Sequence, residues 1–132
     1  MENAAKMASQ GRPKPEDRPP PDAEIFDRAH LARYTMESPE LEREIIDLFL
    51  GQMPGALDLI RQADNLASWR LAVHTLKGSA AAIGARRINQ LASELEMLDV
   101  DVDVNVKKTL VEALWRAVND FRAMASRIYS SR

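Results

Sequence analysis

The sequence predicts an all-α fold, an antiparallel up-down four-helix bundle with a short additional helix at its N-terminal end. Apolar residues recur at spacings of three and four along most of the chain, which is the period of helices buried on one side. Alternating apolar and polar residues, which indicate strands, are almost absent, and only five of the 132 residues are glycine. Short connections between amphipathic helices favour antiparallel neighbours.

The composition fits a single domain of modest size. A net charge of −2 offers no basic field for nucleic acid, and the absence of cysteine excludes a disulfide scaffold and a thiolate zinc site. No apolar run reaches the roughly 18 residues of a membrane span, and none near the N-terminus has signal-peptide length. We therefore expect a cytoplasmic monomer without a membrane or nucleic-acid partner.

Residues 1–23 are predicted to form a disordered leader. Five of the seven prolines lie there, at positions 13, 15, 19, 20 and 21, among few large apolar side chains. Such a segment cannot bury enough surface to offset the entropy lost on ordering. The bundle is then expected over residues 24–132, which is long enough for one core without metal or disulfide support.

The first two helices are predicted on either side of residue 36. A short helix over 24–34 would use Ile25, Phe26, Leu31 and Tyr34 as apolar contacts. Before the second helix, the sequence Ser38-Pro39 provides an N-cap serine and a proline at the first helical position.

Two residues inside the second helix predict a kink near 50–54. Gly51 is a weak helix former, and Pro54 lacks a backbone donor and clashes with the preceding turn. One face of this helix is predicted to point inward, and its members are Leu41, Ile45, Leu48, Phe49, Ala56, Leu59, Ile60 and Ala63.

Three further segments complete the predicted bundle. The third helix, over 66–83, has a stripe at 4-3-4-3 spacing and ends at Gly84, which fits a C-cap. The fourth covers 86–98. The alternating Asp-Val run at 99–104 is interpreted as a loop, and the last helix follows over 105–129. The inward residues of these helices are Trp69, Val73, Leu76, Ala80 and Ile83; Ile88, Leu91, Ala92, Leu95 and Leu98; and Leu110, Leu114, Ala117, Phe121, Met124 and Ile128.

His74 is the most informative residue for function. At about 100° per residue, it falls on the solvent side of the third helix, with Gly78 beside it and Lys77 at the edge of the buried face. Glycine inside a helix costs roughly 1 kcal/mol relative to alanine, so its presence calls for an explanation. A need for space where a bulky partner reaches the imidazole would explain the glycine. His30, which is followed by a tyrosine ring at position 34, is given no functional role.

Several chemistries of an exposed histidine can be compared. A metal site would need a second ligand at i+4, and lysine stands at i+3 instead. A Ser/His/Asp hydrolase would need a strand-turn-helix elbow, and acid–base catalysis would need a concave pocket. Nucleophilic attack of the imidazole on a phosphoryl group suits the pattern best, with Lys77 offsetting charge on the phosphoryl oxygens. No glycine-rich loop for ATP is present.

The run His74-Thr75-Leu76-Lys77-Gly78-Ser79-Ala80, continued by Ile83-Gly84-Ala85, resembles the histidine-containing phosphotransfer (HPt) domains of multistep phosphorelays. The resemblance covers roughly residues 24–130. It implies a four-helix bundle whose histidine takes a phosphoryl group from one receiver aspartate and gives it to another. The protein would then be a phosphocarrier rather than an enzyme. Its partners would be response-regulator receiver domains and a (hybrid) histidine kinase, and Mg²⁺ would be needed only in the receiver.

The resemblance also assigns roles at the site. It makes His74 the phosphorylated residue through Nε2, Lys77 the charge-stabilising neighbour and Gly78 the position that leaves the approach open. Three supporting residues follow: Ser79 at a small packing position, Gly84 at the glycine closing the motif, and Glu96 as a partner of the imidazole. For Gly84 a plain C-cap role, and for Glu96 a solvated surface position, are the alternatives.

A docking surface for receivers is implied around His74. Leu71 is its most informative member, because a leucine facing water calls for a partner, although the first helix packing over it is an alternative. The predicted surface consists of Arg70, Leu71, Ala81, Ala85, Asn89, Ser93 and Met97.

Three functions stay open at this point. The first is a free-standing HPt phosphocarrier. The second is a detached phospho-accepting domain fed directly by a histidine kinase, and the third is a helical adaptor that binds receivers without carrying phosphate. The intact His-Lys-Gly set argues against the adaptor, since a pure binder would not need the nucleophile.

Overall fold

A computed structural model describes residues 21–98, 101 and 103–129 of the chain. The predicted leader lies outside these residues except for its last three positions, and so does half of the predicted 99–104 loop. The described residues form six helices, which confirms the predicted all-α class. They are α1 (Asp22–Ile25), α2 (Arg28–Thr35), α3 (Pro39–Gln62), α4 (Leu66–Ile83), α5 (Arg86–Glu96) and α6 (Val104–Ile128).

The four longest helices enclose one core. Helix α4 packs between α3 and α5, and α6 closes the ring by packing on both α5 and α3. The connections at 63–65 and 84–85 are short, so the helices that they join run antiparallel. The largest fully buried side chains come from all four helices and from α2, and they include Trp69, Phe121, Leu31, Ile46, Met53, Leu57, Ile60, Leu76, Ile88, Leu95, Leu114 and Met124.

Side-chain caps fix where α3 and α4 begin. The Ser38 hydroxyl accepts a hydrogen bond from the Leu41 N–H, with Pro39 at the first helical position, as predicted. The Asn65 side chain accepts from the Ser68 N–H in the same way. Helix α3 continues through Gly51 and Pro54 to Gln62, and the kink expected there stays a prediction.

The buried face of α3 differs from the predicted one. Leu41, Leu48 and Leu59 were expected in the core but are 40%, 68% and 63% exposed. Helix α3 carries two adjacent apolar stripes, and both follow the same spacing of three and four residues. The spacing alone therefore does not show which stripe is buried. Contact with α4 and α6 buries the stripe between those helices, which is formed by Ile46, Phe49, Leu50, Met53, Leu57 and Ile60.

The N-terminal segment forms two helices where one was predicted over 24–34. Phe26 is extended, with φ −145° and ψ 127°, and its buried ring meets the Phe121 ring edge-on at 5.5 Å between centroids. The next residue, Asp27, donates its N–H to the Gly84 carbonyl at 2.8 Å. This backbone bond and the burial of Phe26 interrupt the helix.

Tyr34 was expected to contact the core but is 70% exposed. Its ring lies edge-on to the His30 ring, 5.4 Å away between centroids. Because the segment restarts its helix at Arg28, α2 turns a different face toward the core, and Leu31 and Thr35 are its buried residues.

A buried carboxylate joins α2, α3 and the end of α6. Glu42 is 2% exposed and accepts hydrogen bonds from Arg28 Nε at 3.0 Å, from the Tyr129 hydroxyl at 2.6 Å and from Thr35 Oγ1 at 3.5 Å. Burial and the bond to Glu42 raise the pKa of Tyr129, so its phenol stays a donor. The sequence pattern did not predict this cluster.

Helices α4, α5 and α6 follow the prediction closely. The α4 stripe is buried at every predicted position, and Gly84 caps α4 in the left-handed conformation with φ 81°. Helix α5 ends at Glu96, two residues before the predicted end, and Leu98 is partly buried. In α6, Leu110 and Ile128 are partly buried and the other predicted residues are in the core.

Gly84→Ala should lower the free energy of unfolding by about 2–3 kcal/mol, since alanine is strained at this φ and loses the close backbone contact. A Cβ at Gly84 would lie 2.6 Å from the Asp27 carbonyl oxygen. Urea denaturation measures the change. The matched control is Gly55→Ala, because a Cβ at Gly55 meets nothing within 4 Å. This control should stabilise helix α3 by up to about 1 kcal/mol. Equal stabilities of the two variants would contradict the structural role of Gly84.

Candidate functional site

His74 lies on the side of α4 that faces away from the core. Its side chain is 78% exposed, whereas Trp69, Val73 and Leu76 on the same helix are buried. The helix therefore uses one face for packing and presents the imidazole to solvent on the other. The imidazole is accessible to a protein partner without any opening of the fold.

One carboxylate of α5 contacts two nitrogens of α4. Glu96 Oε1 accepts a hydrogen bond from Lys77 Nζ at 2.9 Å, and Glu96 Oε2 lies 3.6 Å from His74 Nδ1. The second distance is longer than a hydrogen bond, so it is an electrostatic contact that leaves Nε2 on the far side of the ring. The sequence placed Glu96 beside the imidazole, but its pairing with Lys77 across 19 residues had no sequence signal.

The lysine keeps this carboxylate ionised. The hydrogen bond from Lys77 lowers the pKa of Glu96 and outweighs the opposing effect of desolvation, and the charge of Lys77 acts in the same direction as the hydrogen bond. Glu96 and Lys77 are each about one-third exposed, at 34% and 37%, so water screens the pair partially. The site thus has the negative charge of Glu96 beside Nδ1 of His74, and the ammonium of Lys77 lies about one helical turn further along α4.

Helix α5 also holds the backbone of α4 at the height of the site. Asn89 Nδ2 donates to the Lys77 carbonyl at 3.0 Å, and Ser93 Oγ donates to the Asn89 carbonyl at 3.0 Å. Both residues were predicted to belong to an exposed docking surface, but both are half-buried. Asn89 positions the turn of α4 that carries Lys77.

The two glycines of the motif have different surroundings. A Cβ at Gly78 would meet nothing within 4 Å, so packing does not explain this glycine. Gly84 is required by its positive φ and by the contact with Asp27. Ser79 is half-buried on the flank of α4.

The remaining predicted docking residues divide into exposed and buried. Arg70 and Ala81 are exposed, and Leu71 and Met97 are 69% and 85% exposed. The first helix therefore does not cover Leu71.

Ala85, which was expected to be exposed, is 0% exposed. This residue forms an antiparallel bridge with Phe26, and the N-terminal segment covers it.

Neither a metal-binding cluster nor a membrane-spanning helix is found in the part of the chain that the structure describes. No group of three or more His, Cys, Asp or Glu residues is placed to hold a metal ion among residues 21–98, 101 and 103–129. None of the helices found in these ranges is both long and apolar enough to cross a membrane.

Comparison with known proteins gives one finding. A family model described as the Hpt domain matches residues 35–128. Neither the search of curated proteins nor the search of solved structures returned a match. The matched range includes α3 to α6 with the whole site, and it begins at the last residue of α2.

Lys77→Met should raise the pKa of Glu96 toward the ordinary glutamate value, because the hydrogen bond from Lys77 is the largest cause of the lowered pKa. A lowered pKa stabilises the fold above the pKa of the unfolded chain, and this contribution disappears as the pH falls through the lowered value. The variant should therefore lose less stability than the wild type on acidification. Carboxyl NMR titration of Glu96 measures the shift. Lys108→Met, on an exposed lysine of α6, is the control, and an unchanged Glu96 titration in Lys77→Met would contradict the pairing.

Proposed function

We propose that His74 is the phosphorylated residue of this chain, which belongs to the Hpt domain family because the matching model spans residues 35–128. Hpt domains transfer phosphoryl groups through a histidine in phosphorelays, in which they interact with receiver domains and histidine kinases. The observation that carries the proposal is the exposed imidazole of His74. The Glu96 carboxylate lies next to its Nδ1, and the space at Gly78, one turn further along the helix, is open.

The proposed reaction is a reversible phosphoryl exchange between His74 and a receiver aspartate. The Nε2 lone pair attacks the phosphorus of the aspartyl phosphate, an Nε2–P bond forms, and the acyl-phosphate O–P bond breaks to release the aspartate carboxylate. The same step in reverse passes the group to the aspartate of a second receiver. The imidazole keeps its proton on Nδ1 throughout, so the step does not need a proton acceptor.

Glu96 supports this reaction by its position. A carboxylate 3.6 Å from Nδ1 favours the tautomer that carries its proton there, and this tautomer has the lone pair on Nε2. Glu96 is a positioning residue in this proposal, since it faces the nitrogen that does not react.

Lys77 supplies the positive charge near the transferred group. Glu96 accepts a hydrogen bond from the Lys77 ammonium and also contacts the imidazole of His74. The ammonium therefore stays close to the ring. Phosphoryl transfer involves charge on the phosphoryl oxygens, and a positioned cation stabilises it. Gly78 leaves the approach to the ring open, since the position has no packing neighbour.

The finer features of the pathway are part of the same proposal. We place receiver domains as both donor and acceptor of the phosphoryl group, a monomeric carrier in the cytoplasm, and Mg²⁺ in the receiver. Direct labelling by a histidine kinase with ATP, in the absence of any receiver, would instead support the kinase-fed alternative.

His74→Gln should abolish phosphate labelling by a phosphorylated receiver. The wild-type label should be acid-labile and alkali-stable, as expected for phosphohistidine. The helical circular dichroism signal should not change, because the His74 side chain is largely exposed. Labelling with His30→Gln as the matched control should equal that of the wild type, and label remaining on His74→Gln would refute the assignment.

Gly78→Leu should slow phosphoryl transfer by about ten- to hundredfold, since a small misplacement of the reacting atoms costs this much. The matched control is Gly55→Leu, because Gly55 is also an exposed helical glycine without a neighbour within 4 Å. Both variants change the same residue type in a helix, so their stabilities should be similar. Rapid-quench transfer assays separate them, and equal transfer rates would show that Gly78 does not provide the approach path.

A further inference from the structure

Lys77 is held at both ends by helix α5. Glu96 Oε1 accepts a hydrogen bond from Lys77 Nζ at 2.9 Å, and Asn89 Nδ2 donates to the Lys77 carbonyl at 3.0 Å. Asn89 and Glu96 are seven residues apart, so at about 100° per residue they lie within about 20° of each other on α5. One flank of α5 therefore contacts both the backbone and the ammonium of the same residue.

The bond from Asn89 joins two helices and is not needed to complete the backbone bonding of α4. Helix α4 runs from Leu66 to Ile83, so the Lys77 carbonyl lies in its interior, where a carbonyl accepts from the N–H four residues further on. A carbonyl oxygen has two lone pairs, and the Asn89 amide uses the second one. Asn89 is half-buried, so water competes for this bond less than at a fully exposed position.

This bond lies at the height of the site and away from the turn between the helices. Gly84, where α4 ends, is seven residues beyond Lys77 and ten beyond His74, which corresponds to about 10 Å and 15 Å along the helix. The turn fixes the register of α4 and α5 at its own position. A small rotation of α4 about its axis would still displace the tips of long side chains at the site. The bond at the Lys77 carbonyl opposes this rotation.

The next residue of α5 provides a comparison. Gln90 carries the same amide group on a longer side chain, but it is exposed, and its Oε1 accepts a hydrogen bond from Arg87 Nη1 at 3.2 Å. This bond joins two residues of α5 and does not reach α4. An amide on this helix therefore does not contact α4 by default, and the contact with Lys77 depends on the position of Asn89.

We propose that Asn89 is a positioning residue for phosphoryl transfer, a role that rests on the proposed function of His74. By holding the Lys77 carbonyl, Asn89 sets the backbone from which the lysine side chain extends to Glu96. The Lys77–Glu96 pair then stays beside the imidazole. The amide of Asn89 is neutral, so it adds no charge to the site. Asn89 acts on the reaction through Lys77 and does not contact the transferred group.

Carboxyl NMR titration of Glu96 tests this role without any receiver. Asn89→Leu keeps a side chain of similar size but removes the donor, so Lys77 should be held less firmly and the pKa of Glu96 should rise toward the ordinary glutamate value. The rise should be smaller than in Lys77→Met. Gln90→Leu is the matched control and should leave the Glu96 titration unchanged. Asn89→Ala repeats the test without a large apolar side chain, in case leucine disturbs the packing of α5.

Rapid-quench transfer from a phosphorylated receiver tests the role in the reaction. In Asn89→Leu and Asn89→Ala the maximal transfer rate should fall about tenfold, since a small misplacement of reacting groups is costly. The receiver concentration that gives half of the maximal rate should stay within about twofold, because a positioning residue does not bind the receiver. Gln90→Leu should match the wild type in both quantities.

Three results would overturn the proposal. The first is an unchanged Glu96 titration, or an unchanged maximal rate, in both Asn89 variants. The second is a raised half-maximal receiver concentration at an unchanged maximal rate, which would assign Asn89 to the docking surface for receivers. The third is an equal effect of Gln90→Leu, which would assign the loss to α5 in general.

A failure of the proposed function gives a different result. Absence of phosphate label on the wild-type chain would refute the role of His74 and, with it, the role of Asn89 in transfer. A labelled wild type together with an unaffected Asn89→Leu would refute the positioning role alone.

Discussion

The contact between the N-terminal segment and the turn after α4 sets the geometry on which the site depends. Gly84 ends α4 in a left-handed conformation, accepts a hydrogen bond from the Asp27 N–H, and lies so close to the Asp27 carbonyl that no side chain fits. The chain then reverses within two residues and starts α5 antiparallel to α4. Because the reversal is this tight, the register of the two helices is fixed. Residue 74 lies ten positions before the turn and residue 96 twelve after it, so their side chains meet.

The site built on this register keeps its polar groups ordered while the nucleophile remains exposed. Glu96 contacts His74 and Lys77, and Asn89 holds the Lys77 carbonyl. An exposed ion pair adds little to the stability of a fold. Its value here is in orientation, because a long lysine side chain and an exposed ring otherwise sample many rotamers. Two helices therefore supply the order that a pocket supplies in an enzyme.

The sequence predicted α4 and its surroundings well because the local signals there agree. One narrow stripe faces the core, Gly84 ends the helix, and Gly78 stands at a position where a side chain would make no packing contact. Glu96 lies beside His74 and Lys77, because antiparallel packing across a short turn leaves little freedom in the register of α4 and α5.

Other parts of the fold depend on contacts between distant residues, and a local pattern does not contain them. Helix α3 has two apolar stripes, and only the positions of α4 and α6 decide which one is buried. The break at Phe26 arises from its contact with Phe121 and from the bond between Asp27 and Gly84. The same contacts bury Ala85. Glu42 has the sequence appearance of a surface acid, but Arg28 and Tyr129 are both brought to it by the fold.

The open position at Gly78 has a kinetic consequence under the proposed function. A single imidazole with one unobstructed approach receives one protein at a time, so a donor and an acceptor must compete for the same face. A long-lived complex with either would block the other and stop the flow of phosphoryl groups. The geometry therefore favours brief, weak encounters, and the throughput of the carrier would be limited by how quickly its partners dissociate.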